Sequence, residues 1–380
     1  MGGGMRVIVV GAGLGGLTLA HGLRRAGIDV VVYERDEARS RPQGGSLHVD
    51  DRGMSALRAC LPPGHVAMLE ATMGGPRDRT LHLSELNGEL VVASVQPSDN
   101  AGPVRPGRQA FRPLLRAVLL TGLADAVRFG TAFTRFESLP DGTVRAWFAD
   151  GTADTADVLV GADGIGSAVR QQRLPHVRVL DTGQRMVMGA TPLRAVAGTG
   201  LPELIGDSPA SVRTRGTMVA LGVLRFAEPP VAARERWLPA LHRRAVADAE
   251  DHVMWASPVT QEQLGHGESP ANAWRRAREL AAGLHPTLRQ VVDQAWPDAT
   301  IVLRIGLIPP VPPWPASPVT VIGDAVHLAP GFGGNLAMRD AHRLRDALAE
   351  AAGGQRGLLA AIGDYEDTMR RDSFPATSDR

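Results

Sequence analysis

Residues 5–35 constrain this chain more than any other stretch. An apolar run, Val7-Ile8-Val9-Val10, breaks into Gly11-Ala12-Gly13-Leu14-Gly15-Gly16, and a helix-compatible stretch to Ala26 follows, stopped by Gly27. A second β-branched run, Val30-Val31-Val32-Tyr33, ends at Glu34-Arg35. Strand, glycine turn, helix, strand and acid each have a job if a dinucleotide lies there. Gly11 allows the tight turn, Gly13 lets a pyrophosphate approach the backbone, and Gly16 lets helix and strand pack closely. The helix start, with Leu14 and Gly15, offers unpaired N–H groups and the positive dipole end to phosphate. Glu34, 18 residues after Gly16, is placed to accept hydrogen bonds from both hydroxyls of an unphosphorylated ribose, which suits FAD or NAD rather than NADP. The unit by itself does not choose between FAD and NAD.

Composition removes whole classes of function. All 41 basic residues are arginine, so no Schiff-base lysine, phosphate-loop lysine or lysine general acid exists here. A net charge of +1 gives no field that argues for nucleic acid or a membrane surface. Cys60 is the single cysteine, which excludes an internal disulfide and any multi-cysteine metal site and fits a reducing cytosol. No run of 18 apolar residues and no signal peptide is visible, so the expectation is a cytoplasmic protein without a membrane span. With 380 residues the chain has room for two or three domains.

Further along, helices are expected over residues 52–61 and 111–123, with a hairpin turned by Asn87-Gly88 between 80–83 and 90–92. Residues 127–160 look like an antiparallel meander of strands 127–129, 133–137 and 144–148, turned by Asp141-Gly142 and Asp150-Gly151. The buried-type strand 157–160 then ends in Gly161-Ala162-Asp163-Gly164. From 177 to 305 the character changes: strands at 186–190, 217–224, 252–257 and 301–305 alternate with proline- and glycine-rich loops, and a helix spans 271–284. A last buried strand, Val319-Thr320-Val321-Ile322, runs into Gly323-Asp324 and a glycine loop that opens a helix at Leu336. An acid at a strand end can hold a sugar-chain hydroxyl, and the helix start presents amides to an electron-rich ring edge.

These three motifs, in this order, resemble the group A flavin monooxygenases, the class that includes para-hydroxybenzoate hydroxylase and the tetracycline-inactivating monooxygenases. The resemblance rests on Gly11 to Gly16 with Glu34-Arg35, on Asp163-Gly164 and on Gly323-Asp324, and more weakly on Arg41 with Gly44-Gly45 and on Arg112. It implies an α/β chain, α+β overall. A discontinuous Rossmann-like FAD domain (1–75, 101–176 and 306–352) would carry an inserted antiparallel-sheet substrate domain (76–100 and 177–305). A C-terminal helical segment would occupy 353–380, without the thioredoxin-like addition of longer relatives.

It further implies that Gly11, Gly13, Leu14, Gly15 and Gly16 hold the FAD pyrophosphate and that Glu34 binds the adenosine ribose. Arg35, Arg41 and Arg112 would touch adenine, flavin or phosphate. Asp163 and Gly164 would lie near the FAD, Gly323 and Asp324 would bind ribityl and pyrophosphate, and Pro330, Gly333, Gly334, Asn335 and Leu336 would flank the flavin ring. FAD is then the cofactor, with NADPH or NADH and O2 as co-substrates, and a flavin C4a-hydroperoxide hydroxylates an aromatic or polyketide-like small molecule. Baeyer–Villiger oxidation is the alternative within the class. Halogenation is not, because it needs a lysine.

Asn335 comes five residues after Pro330, about three fewer than the resemblance implies. A flavoprotein without oxygenase turnover is therefore the competing reading. An NAD-dependent dehydrogenase built on the first unit would leave the two later motifs unexplained. Phe332, Arg213, Met188 and Trp255 are the candidates for a substrate pocket. The flavin is expected to carry the chemistry and no catalytic base is named; His48 is the candidate weighed for that role, against a satisfied polar strand residue. His327 is read as structural, no metal is expected, and oligomeric state is left open.

Overall fold

The computed structural model describes residues 4–38, 45–99, 105–214, 217–264, 270–328 and 333–374. Arg41, Pro330 and Phe332 lie outside the described residues, as does most of the shortened loop.

The continuous apolar runs form a parallel sheet, as strands buried on both faces must. Its order is Val319–Val321, Val158–Gly161, Arg6–Val10, Asp29–Tyr33 and Val127–Arg128. Val9 pairs with Val160 on one side and Val32 on the other. Val7, Ile8, Val9, Val158, Leu159 and Val160 are all fully buried. The helix Leu14–Arg25 packs on Gly333–Ala352, and small residues set the approach: a Cβ on Gly15 would lie 3.1 Å from the Ala337 Cβ. The helix Leu358–Ser373 closes the far side, where the Tyr365 hydroxyl donates to the Val321 carbonyl at 3.1 Å.

The meander has three strands, but not the three expected. Phe133–Ser138, Val144–Phe148 and Ala153–Ala156 form it, turned by Gly142 and Gly151 at positive φ. Val127–Arg128 instead adds to the edge of the parallel sheet, because Val127 buries its side chain in the main core beside Asp29–Tyr33.

A second sheet has seven strands, in the order Ile301–Leu307, Leu180–Pro192, His252–Thr260, Thr217–Leu224, Ala210–Thr214, Arg79–Leu86 and Glu89–Pro97. It is antiparallel except where Ala210–Thr214 runs parallel to Arg79–Leu86. Asn87 (φ 53°) and Gly88 (φ 83°) turn the last hairpin, the left-handed pair that an Asn-Gly dipeptide favours. Its helix-covered face buries Val187, Val212, Val219, Leu221, Val253 and Trp255 against Pro270–Ala281 and Pro286–Asp293. A three-stranded sheet of Ser46–Asp50, Gly107–Phe111 and Pro76–Arg77 joins the two larger ones. Among the described residues no helix is long and apolar enough to cross a membrane.

Candidate functional site

In an open parallel sheet, ligands bind outside the carboxyl ends of the strands. All three sequence motifs arrive at that edge. Gly11 has φ +108°, and a Cβ there would stand 2.4 Å from the Ala162 carbonyl oxygen. A Cβ on Gly16 would stand 2.1 Å from the Gly11 oxygen. Gly13 differs, since a Cβ on it meets nothing within 4 Å. Two glycines are thus required by the protein itself and one faces open space. The helix that follows has no side-chain cap and no acid in its first turn, so its leading N–H groups remain available to an anion.

Glu34 is braced at the end of its strand: Oε2 accepts from the Ala12 N–H at 2.8 Å and Oε1 from the Asp36 N–H at 3.0 Å. This holds the acid against the glycine turn, where a ribose would lie. Arg35 projects outward, 3.9 Å from Asp36.

The second motif turns through Gly164 at φ +74°. Asp163 caps the helix Ala168–Arg173, with Oδ2 accepting from the Ala168 N–H at 2.7 Å and the Val169 N–H at 3.3 Å. Its Oδ1 is buried without a partner. Burial pushes this carboxyl above the usual carboxylate range, and the orphaned oxygen is one that a ligand hydroxyl or amide would satisfy.

At the third motif Asp324 opens onto the sheet edge, yet the protein packed around it raises its carboxyl, with His327 and Arg112 opposing the shift. A Cβ on Gly333 would sit 2.4 Å from Asp324 Oδ1, so the start of the last helix is pressed against this acid. Gly334 lies between Leu14 and Leu47, each about 3.3 Å from where its Cβ would be. Arg112 begins the helix Arg112–Leu120, and its N–H donates to the Gly45 carbonyl at 3.1 Å. Burial lowers its guanidinium pKa while Asp324 opposes the change.

One turn on stands Arg116, which sequence reasoning missed. It is 8% exposed with Nε unpartnered, and burial lowers its pKa against the pull of Glu34 and Asp36. Two arginines, Arg112 half-buried and Arg116 buried, therefore run from the acid of the third motif to that of the first. The signal was their four-residue spacing, which puts both on one helix face.

Asn335 and Leu336 are buried. Asn335 accepts from the Asp50 N–H at 3.1 Å and donates to the His48 carbonyl at 2.8 Å, pinning the last helix to the strand Ser46–Asp50. His327 is structural in its contacts. Its Nε2 is 2.5 Å from Asp340 Oδ2, and Asp340 also accepts from the Gly323 N–H at 3.1 Å. Burial alone would raise Asp340, but His327 and Arg339 outweigh it and hold the carboxyl below its ordinary range.

His48 places Nε2 2.9 Å from the Arg105 carbonyl, and burial lowers its pKa. That is the satisfied strand histidine. Met188 and Arg213 fall on the face of the seven-stranded sheet away from the helices, Met188 half-buried and Arg213 exposed. Trp255 does not line a pocket. It is 1% exposed on the helix-covered face, its ring packed so closely on Gly189 that a Cβ there would be 2.5 Å away. Strand alternation separates it from Met188, and only the paired register shows which face each residue takes.

A turn that leaves Gly13 open, an uncapped helix start, an orphaned Asp163 oxygen and Arg112 and Arg116 on one helix face fit a dinucleotide with a pyrophosphate. Comparison with known proteins agrees. The chain is 29% identical over 372 residues to the FAD-dependent urate hydroxylase of Klebsiella pneumoniae subsp. pneumoniae, covering 95% of this chain and 85% of that protein. It is 29% identical to the dual O-methyltransferase/FAD-dependent monooxygenase elcB of Phaeosphaeria nodorum, covering 97% of this chain but 44% of that one, so it spans under half the length of this fungal relative. Among solved structures, a candidate FAD-containing monooxygenase from Photorhabdus luminescens subsp. laumondii superposes with a TM-score of 0.79 at 30% identity, covering 97% of this chain and 94% of that one. The FAD binding domain family matches residues 4–196 and 311–370, and the chain belongs to that family.

Proposed function

We propose that this chain is an FAD-dependent monooxygenase that consumes NADPH or NADH and O2 and hydroxylates an aromatic or polyketide-like small molecule. The observation that carries this reading is the assembly of Gly13, Glu34, Asp163, Asp324 and Arg112 on one sheet edge, beside the sheet face opposite the helix-covered one. Family relatives that are monooxygenases support it.

In this reading Gly11 to Gly16 and the helix start hold the pyrophosphate through backbone N–H groups. Glu34 takes the ribose, Asp163 offers its orphaned oxygen to a sugar-chain hydroxyl, and Arg112 and Arg116 neutralise phosphate. Asp324, open at the sheet edge, would accept a hydrogen bond from a ribityl hydroxyl. When bound, FAD supplies the oxygen activation and transfer, which no side chain performs. The protein positions the substrate and keeps water away, and His48, occupied by a carbonyl, holds a strand rather than a proton in flight.

The short Pro330-to-Asn335 spacing favours a second reading, a flavoprotein that binds its ligand without oxygenase turnover. The test has two steps. The visible absorption spectrum of the purified protein, before and after adding FAD and gel filtration, reports the cofactor. NAD(P)H oxidation and oxygenated product are then measured against phenolic and ketone substrates, the ketones testing Baeyer–Villiger chemistry. Retained flavin with coupled product formation is expected. Retained flavin without product supports the second reading, and a protein that takes up no FAD overturns both.

A further inference from the structure

The seven-stranded sheet has two unlike faces. On one, Val187, Val219, Leu221, Val253 and Trp255 are 0% to 2% exposed beneath helices. On the other, Met186, Met188, Met218 and Met254 are only half-buried. Register puts these thioethers together: Met254 pairs with Ala190 and Gly222, Met188 with Ala256, and Met218 with Arg213. Thioether side chains adapt to flat apolar guests and make favourable contacts with aromatic rings. This face adjoins the cofactor edge. A Cβ on Gly45 would lie 2.6 Å from the Ala190 Cβ, and the Gly45 carbonyl accepts from the Arg112 N–H at 3.1 Å.

At Gly222 the face has no side chain, and Arg77 takes the place. A Cβ there would lie 2.8 Å from its Nη2 and 3.2 Å from its Nη1. Arg77 is 3% exposed. It donates from Nη2 to the Val223 carbonyl at 2.9 Å, while its Nε is buried without a partner. Among the described residues no carboxylate stands within ion-pair distance of it. Burial pulls its pKa down to about 10, with only Asp207 opposing. Gln109, two residues from the Gly107 that pairs with Arg77, is 1% exposed with both amide atoms unpartnered. A buried cation whose opposing charge, Asp207, lies beyond ion-pair distance is costly, as is a buried unpaired amide. Both costs are relieved if an anionic oxygen docks here.

Resting on the monooxygenase reading, we propose that the methionine face is the floor for a flat aromatic substrate and that Arg77, beside Gln109, receives that substrate's carboxylate or phenolate. Arg213, paired with Met218, is the rival cation on this face, but it is exposed.

Calorimetric binding of 2-naphthoate and its neutral match 2-naphthamide to the purified protein tests this. Wild type should prefer the carboxylate by about tenfold or more, the scale of a hydrogen bond to a charged group. Arg77→Gln should abolish the preference and leave naphthamide affinity within about twofold, since only the charged partner is removed. Arg213→Gln should keep it. If Arg77→Gln fails to fold by its melting curve, Gly222→Ala decides: its Cβ displaces the guanidinium without removing charge, and the preference should shrink. No wild-type binding, no anion preference, a preference that survives Arg77→Gln (or Gly222→Ala), or one lost with Arg213→Gln would each overturn the assignment. The calorimetry reads neither flavin retention nor NAD(P)H consumption, so failure of the monooxygenase reading shows up separately.

Discussion

Asn335 offers the sharpest test of how the last glycine loop is held. Its side chain is fully buried and bridges two backbone groups of one strand, the Asp50 N–H at 3.1 Å and the His48 carbonyl at 2.8 Å. Truncation to alanine removes both hydrogen bonds and leaves the Asp50 N–H buried and the His48 carbonyl part-buried without them. An unsatisfied buried polar group costs about 1–3 kcal/mol, so Asn335→Ala should destabilise the protein by about 2–5 kcal/mol. A Cβ on the facing Gly53 would lie 2.3 Å from the Asn335 Oδ1, so the space is tight and water has little room to substitute. The assay is urea unfolding of the flavin-free protein, followed by tryptophan fluorescence. The midpoint should fall while the slope stays constant, since a contact is lost but the exposed surface is not changed. The same loss should appear with flavin bound, because the contacts of Asn335 are to backbone. A variant as stable as wild type without flavin, but weaker in FAD binding, would refute the argument and return Asn335 to the cofactor.

Two further expectations follow from the same geometry. Gly16→Ala forces a Cβ to 2.1 Å from the Gly11 oxygen and should lower the melting temperature of the flavin-free protein, whereas Gly13→Ala meets nothing within 4 Å and should melt like wild type while retaining less FAD on gel filtration. Equal flavin retention by Gly13→Ala would show that no phosphate approaches there. Glu366, buried and accepting from the Thr320 hydroxyl at 2.8 Å, has its carboxyl raised by burial to about 7. A raised acid favours the native state while protonated, so its contribution is present below the ordinary glutamate pKa and is lost as pH climbs through about 7. Relative to wild type, Glu366→Gln should therefore gain stability between pH 5 and pH 8, by up to about 3 kcal/mol; a gain independent of pH would contradict this.

The first strand, glycine turn, helix and second strand were legible because each is locally determined. A run of β-branched residues buried on both faces, a turn that only glycine can make and a helix stop all lie within 30 residues of each other. The Asn87-Gly88 hairpin was legible for the same reason. Val127–Arg128 was misplaced, since two residues carry no period and only the neighbouring Val32 and Tyr33 claim them. Which face Trp255 takes was not legible, because an alternating strand in a two-sided sheet looks the same whichever face the helices cover. Arg116 and Arg77 went unnoticed, as their burial is set by elements far away in the chain.

Sequence alone determined that a βαβ unit binds a dinucleotide and that two later strand ends, at Asp163 and Asp324, return to it. Local steric rules and short-range spacing suffice for that. Tertiary structure alone decided which buried polar groups lack partners. Whether Arg77 meets a carboxylate, or Asn335 a backbone amide, depends on contacts between residues 146 and 285 positions apart, and no local pattern encodes such a distance.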